Sequence, residues 1–307
     1  MRVERPHTHG NKLRALLGNA NLPAGDIPRV QEAIEKYDEW RTDLTECDAD
    51  GDELLMFFTQ KLNEYKNFID LELIFNSNDN FLYRQNGQLK LSNSIMEEFL
   101  PYIFDVRLVP GFNVIEQLIC GPQSSFAGLS FGSPILSLSN GGVFIKRKDQ
   151  DFAVAKKHKI TISNVPGNTE VFSANFCVSH FATEIKTNLD KTMFQEASQT
   201  ANELKLAVPG SRYLLLCEYL DMKPITTKLT SIDEVIVLRK AKRLSSNIRS
   251  AFSTSAGRRA ARAQYSNFLE RNPFHFESFQ RFIHHLNDCF PASYSEDTDA
   301  ILNRGYF

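Results

Sequence analysis

The sequence predicts an α/β protein: a mixed sheet flanked by helices, with a mainly helical N-terminal region and a C-terminal helical extension. Three observations carry this. Apolar runs at 151–155 and 176–186 are bounded by acidic residues, as strands ending at a solvated sheet edge would be. A helical repeat over 192–206 leads through Pro209-Gly210 to the unbroken run Tyr213-Leu214-Leu215-Leu216-Cys217, the order strand, crossover helix, doubly buried strand. From residue 27 to about 104, apolar residues recur mostly every three or four positions.

Taken in chain order, Val30, Ala33, Ile34, Tyr37, Trp40 and Leu44 space a helix over 27–46. Leu55, Phe58, Leu62, Tyr65, Ile69 and Leu73 space a second, from 54 to about 75. Residues 76–80 read as a loop and Asn86-Gly87 as a turn. A third helix is expected over 95–104, capped by Asn93 or Ser94. Glycine, serine and alternating apolar residues over 121–142 predict loops and short strands. Asp149 is expected in the loop before the strand that Asp151 opens. A basic turn, Lys156-Lys157-His158-Lys159, and a turn segment at 164–169 should follow. Phe276, Phe279, Ile283 and Leu286 place a terminal helix against the body.

The composition is that of an ordinary soluble protein, 42% apolar and 23% charged, and 24 Phe can fill a substantial core. No run approaches a membrane span, and the N-terminal residues carry no apolar stretch of a secretory signal. Five dispersed cysteines fit reduced thiols in a cytoplasmic protein. The net charge of −2 hides an uneven distribution: 14 acidic against five basic residues over 26–72, and eight basic with no acidic residue over 239–262. The second run, with its serines and alanines, reads as a linker that orders on DNA. Lys156 and Lys157 near Asp151, together with Arg258, Arg259 and Arg262, are the expected phosphate contacts.

The chemistry is expected at Asp151, Glu184 and Lys186. Side chains alternate along a strand, so Glu184 and Lys186 share a face, and Asp151 on a neighbouring strand can join them. Two carboxylates hold a hard divalent cation through oxygen, and an ammonium beside them orients water or steadies charge on a phosphate. This is the pattern of a Mg²⁺-dependent phosphodiesterase of the Asp…Glu-x-Lys class. Other candidates fail. Asp48-Ala49-Asp50-Gly51-Asp52 has Glu53 where a calcium loop needs glycine and Thr59 where it needs glutamate. The pairs His7/His9 and His284/His285 have no complementary ligands, and Gly121-Pro122-Gln123-Ser124-Ser125 lacks the lysine of a phosphate loop.

Glu184-Ile185-Lys186-Thr187-Asn188-Leu189-Asp190-Lys191 resembles, almost residue for residue, a catalytic segment of the BbvCI-type restriction endonucleases, odd-length-site enzymes often built from two different subunits. Asp151-Phe152-Ala153, Pro209-Gly210-Ser211-Arg212-Tyr213, the strand-like 233–240 segment and Ser94-Ile95-Met96-Glu97-Glu98-Phe99-Leu100 are also similar to that family, so the likeness covers roughly 92–240. It implies a restriction-endonuclease-like sheet and a nuclease core over 92–240. A helical region at 1–91 would serve DNA recognition, and a basic linker with a terminal helix would occupy 241–307. It also implies one subunit of a type II restriction endonuclease acting on double-stranded DNA with a second nuclease subunit, a heterodimer more than a homodimer. Asp151, Glu184 and the Ile185 carbonyl would hold Mg²⁺, Lys186 would position the attacking water, and the ends would be 5′-phosphate and 3′-hydroxyl. Glu98 and Gln195 would stand behind these residues. A repair nuclease or junction resolvase of the same fold, and a catalytically silent DNA-binding subunit, are the alternatives.

Overall fold

A computed structural model describes residues 5–132, 142–163, 170–290 and 298–305. The turn expected at 164–169 lies outside them. The chain begins with α1 (Thr8–Leu17), a helix that the spacing did not predict, which buries Leu13 and Leu16. The next helix, α2 (Ile27–Glu46), buries Val30, Ala33, Tyr37, Trp40 and Leu44, the stripe the spacing predicts. It is followed by α3 (Gly51–Asn67), whose first turn holds Asp52 and Glu53. The acidic run is therefore a helix start whose charges suit the N-terminal dipole. The helix widens into a π turn over Phe68–Phe75, closed by Asn76 N–H on the Leu71 carbonyl at 2.9 Å.

Asn86-Gly87 is not a separate turn but the last turn of α4 (Phe81–Gln88), which buries Phe81 and Leu82. Next, α5 (Asn93–Ile103) starts two residues earlier than expected, after Ser92. Every residue from Ser94 to Ile103 is buried between the N-terminal helices and the sheet.

Five strands follow: β1 (Leu118–Phe131), β2 (Val143–Ser163), β3 (Glu170–Leu189), β4 (Arg212–Leu220) and β5 (Glu234–Lys242), with α6 (Lys191–Ala207) crossing from β3 to β4. They form one mixed sheet in the order β1-β2-β3-β4-β5. The β1–β2 and β2–β3 pairs are antiparallel; β3–β4 and β4–β5 are parallel. Three expectations are corrected here. The glycine-rich 121–131 segment is strand: Gly121 (φ +116°) and Gly128 (φ +149°) lie at register shifts of the β1–β2 ladder, so glycines that read as turns are bulges. The basic residues Lys156–Lys159 are mid-strand, paired with 178–175 of β3. Asp149 lies in β2 opposite Ser124, not in a loop.

The C-terminal segment continues through α7 (Ser246–Ser250), a 3₁₀ turn at Ala251–Ser253, α8 (Ser255–Arg271), α9 (Phe276–Asn287) and α10 (Thr298–Arg304). Most of the run read as a basic linker is thus helical. Alanine and arginine both favour helix, and Thr254 Oγ1 accepts the Gly257 N–H at 3.1 Å to cap α8.

One apolar cluster joins the N-terminal helices, one sheet face (Phe152, Val154, Phe181, Ile185, Leu214, Leu216) and α9. A smaller one packs α6 on the other face, against Ala182, Tyr213, Leu215 and Cys217. The five cysteines are free thiols. Among the described residues, no helix is long and apolar enough to cross a membrane.

Candidate active site

The β2–β3 ladder begins at Phe152↔Thr183; before it, β2 pairs with β1, and beyond it β3 continues beside β4 alone. A cleft opens where the two strands part. Asp151 and Glu184 flank that last rung, and Asp151 reaches across so that its Oδ2 accepts the Ile185 N–H at 2.7 Å. On β3 the same-face pair Glu184 and Lys186 meet, with Lys186 Nζ 2.6 Å from Glu184 Oε1. The other carboxylate oxygen, Oε2, accepts the Tyr213 hydroxyl at 2.8 Å. Tyr213 of β4 pairs with Ala182 of β3, so its ring stands on the face that Glu184 occupies.

Burial raises the Asp151 pKa from its ordinary value. The Ile185 N–H opposes that shift, the Glu184 charge adds to it, and Lys186 and Lys90 pull it down. A carboxylate desolvated beside a second carboxylate is a place where a cation gains energy. The Tyr213 phenol is pushed well above its ordinary value, first by burial and then by Glu184, so it remains a donor.

The cleft holds about 590 Å³. Asp149, Asp151, Glu184 and Lys186 line one side, and Asn86, Lys90, Ser92 and Asn93, between and at the ends of α4 and α5, line the other. At its far end lies a buried charge network. Lys66 Nζ pairs with Asp70 and with Glu218 Oε2 (3.3 Å), Arg239 Nε meets the same Glu218 oxygen at 3.1 Å, and Arg239 Nη1 donates to the Asn272 carbonyl at 2.8 Å. Pairing makes these charges tolerable in the interior, and it ties β4 and β5 to α3 and to the segment after α8.

The donor set fits a hard divalent cation. Two carboxylates and the Ile185 carbonyl offer oxygen donors. Among the described residues no group of three or more His, Cys, Asp or Glu is placed to hold a metal. A cation bound through one or two carboxylates, with water and substrate phosphate completing the shell, is the habit of Mg²⁺.

Asp151, Glu184, Ile185 and Lys186 are thus brought together; other expected site residues are not. Glu98 is fully buried on another side of α5, where it accepts the Tyr37 hydroxyl (2.6 Å) and the His9 and Gly10 N–H groups (2.9 and 3.3 Å) and lies 3.5 Å from Arg41 Nε. It anchors α1 and α2. Its neighbour Glu97, turned by about 100° around the helix, is the one that feels the charge of Asp151. Gln195 is exposed on α6 and does not line the cleft. Lys156 and Lys157 are five and six residues along β2 from Asp151, roughly 16–20 Å away. Arg258 is completely buried, donating to the carbonyls of Phe75 (3.1 Å), Ser77 (3.1 Å), Asp79 (2.7 Å) and Phe252 (2.9 Å). Such a guanidinium clamps the 75–79 segment and cannot reach a phosphate. Arg259 and Arg262 are exposed, bonded to Asn78 and to Asn76 and Glu72. Tyr213 and Lys90 are residues the sequence reading missed. The Tyr213 signal lies within the Pro209-Gly210-Ser211-Arg212-Tyr213 segment, where a tyrosine opening an apolar strand reads as core.

A family model described as Bpu10I restriction endonuclease matches residues 88–307. Among solved structures, a chain of the native BbvCI A2B2 tetramer is similar over 94% of this chain and 99% of that one, with a TM-score of 0.59 and 17% sequence identity. At that identity the likeness speaks for the fold. No curated protein matches the chain.

Proposed function

The chain belongs to the Bpu10I restriction endonuclease family, and from that premise we propose that it is one subunit of a type II restriction endonuclease, hydrolysing double-stranded DNA at the cleft where β2 and β3 part. The observation that carries this reading is the convergence of Asp151, Glu184 and Lys186, each held by its own hydrogen bond or ion pair at the mouth of one cleft.

Asp151, Glu184 and the Ile185 carbonyl would hold Mg²⁺, which when bound supplies charge neutralisation at the phosphate and acidifies a bound water. The remaining work falls to the chain itself. Lys186 holds the attacking water through its ammonium, on the side of Glu184 away from Tyr213. Tyr213 keeps Glu184 oriented, and the Ile185 N–H keeps Asp151 turned towards it. Water oxygen attacks phosphorus in line, the bond from phosphorus to the 3′ oxygen breaks, and that oxygen takes up a proton. The products are a 5′-phosphate and a 3′-hydroxyl.

One such centre cuts one strand, so a double-strand break takes a second nuclease subunit. The A2B2 composition of the similar BbvCI assembly supports a heterodimer over a homodimer. The enzyme would act in the cytoplasm. The test is incubation of the purified enzyme with plasmid DNA and Mg²⁺. Discrete fragments that appear with Mg²⁺, vanish with a chelator and are rejoined by DNA ligase support the reading. Ends carrying a 3′-phosphate, or cleavage indifferent to the chelator, would overturn it.

A further inference from the structure

Four cationic side chains line the cleft: Lys66, Lys90, Lys186 and Arg243. Three of them are committed. Lys66 pairs with Asp70 and Glu218, Lys186 with Glu184, and Arg243 with Asp221. Among the described residues Lys90 forms no ion pair, and it is exposed on the wall opposite the catalytic strands.

Its backbone is unusual as well. Lys90 has φ +50°, a left-handed conformation that a side chain disfavours and glycine accepts freely. The surrounding turn enforces it. Lys90 N–H donates to the Gly87 carbonyl (3.4 Å), the Lys90 carbonyl accepts Ser94 N–H (3.0 Å), and Asn86 accepts the N–H groups of Leu91 and Ser92 at 3.1 and 3.0 Å. The ammonium thus projects from a fixed base. The backbone gains nothing from a lysine here; what the lysine adds is a positive charge in the cleft.

We propose that Lys90 is a positioning residue that binds a backbone phosphate of the DNA strand lying across Asp151 and Glu184, next to the phosphate that is cut. The inference rests on the nuclease reading given above. Lys90 lines the same cleft as Asp151 and Glu184, so its charge acts at the catalytic mouth and not on a remote surface. Neither acid is within ion-pairing distance, and Asp151 is already bonded to Ile185 N–H. A phosphate entering between the walls would meet a lysine with no carboxylate to displace, and an ammonium on a flexible stem suits it as a point charge.

The test is Lys90→Gly, which removes the ammonium and puts in the residue that the backbone prefers. Binding of a short DNA duplex by the full-length, assembled enzyme is followed against salt concentration in a Glu184→Gln background that stops cutting by this subunit, with a chelator present so that the partner subunit does not cut either. The plot of log affinity against log salt should become shallower by about one unit, and affinity should fall by about tenfold. The melting temperature should not fall, and Lys90→Arg should restore the slope. An unchanged slope in Lys90→Gly, with plasmid cleavage by the single variant intact, overturns the role of Lys90 and leaves the nuclease reading standing. An unaltered enzyme that cuts no DNA in Mg²⁺ would overturn that reading and this inference with it.

Discussion

The hydroxyl of Tyr213 on β4 donates a 2.8 Å hydrogen bond to Oε2 of Glu184 on β3, while Lys186 holds the other carboxylate oxygen at 2.6 Å. Glu184 is therefore gripped from two strands, and its orientation depends on a residue that is itself buried. Tyr213→Phe keeps the ring and removes only the hydroxyl. The loss of one such bond to a charged acceptor corresponds to about 1.5 kcal/mol, so single-turnover cleavage should slow by roughly tenfold with little change in the melting temperature. A full wild-type rate would mean that Glu184 is oriented without Tyr213.

Asp149 and Asp151 lie two residues apart on β2, and both line the cleft. Only Asp151 is fastened to β3, through Ile185. Asp151→Ala should abolish cleavage while duplex binding stays measurable, and Asp149→Ala should keep most of the activity. The reverse pattern in a plasmid assay would identify Asp149 as the metal ligand.

Arg258 satisfies four backbone carbonyls in the interior. Its truncation leaves them unpaired, and Arg258→Ala should cost about 3 kcal/mol or more in a denaturant titration. Replacing Arg259 and Arg262 removes exposed contacts and should cost less than about 1 kcal/mol. An unaltered denaturation midpoint for Arg258→Ala would contradict its role as a clamp.

Burial drives the His9 imidazole down to about 3, while its Nε2 meets the Tyr65 hydroxyl at 2.7 Å and its Nδ1 the Leu91 carbonyl at 3.0 Å. In the unfolded chain the ring titrates near about 6.5. Between those values the unfolded state binds a proton that the folded state refuses, so stability rises with pH. The stability that His9 contributes is complete above about 6.5 and is lost progressively as pH falls towards 3. His9→Gln should flatten the acid side of a plot of melting temperature against pH over that window. Parallel curves for the two proteins would show that His9 titrates alike in both states.

Long amphipathic stretches were legible in the sequence. The stripes of α2, α3 and α9 and the β3–α6–β4 unit follow their spacing because burial of those faces dominates their energetics. Short α1 and α4 offered too few turns for a period to emerge, and the bulge glycines of β1 carry the same residue type as turns. At the site, Glu184 and Lys186 could be put on one face from their spacing alone. The choice between Glu97 and Glu98 could not be made that way, because it depends on how α5 is rotated against the sheet, which tertiary packing decides. Arg258 misled for a similar reason. A basic run looks ready for phosphate until the carbonyls that consume it, nearly two hundred residues earlier in the chain, are in view.

The most direct measurement is the fate of supercoiled plasmid exposed to the assembled enzyme carrying Glu184→Gln in this subunit. Glutamine keeps the size of the side chain and an acceptor for Tyr213 but removes the charge that a cation and Lys186 require. If this subunit's cleft is one of two different catalytic centres, plasmid should be converted to open circles and stop there, always nicked on the same strand. If both centres are copies of this chain, the plasmid should stay supercoiled. Linear product at the wild-type rate from either assembly would contradict the assignment of strand cleavage to Asp151, Glu184 and Lys186.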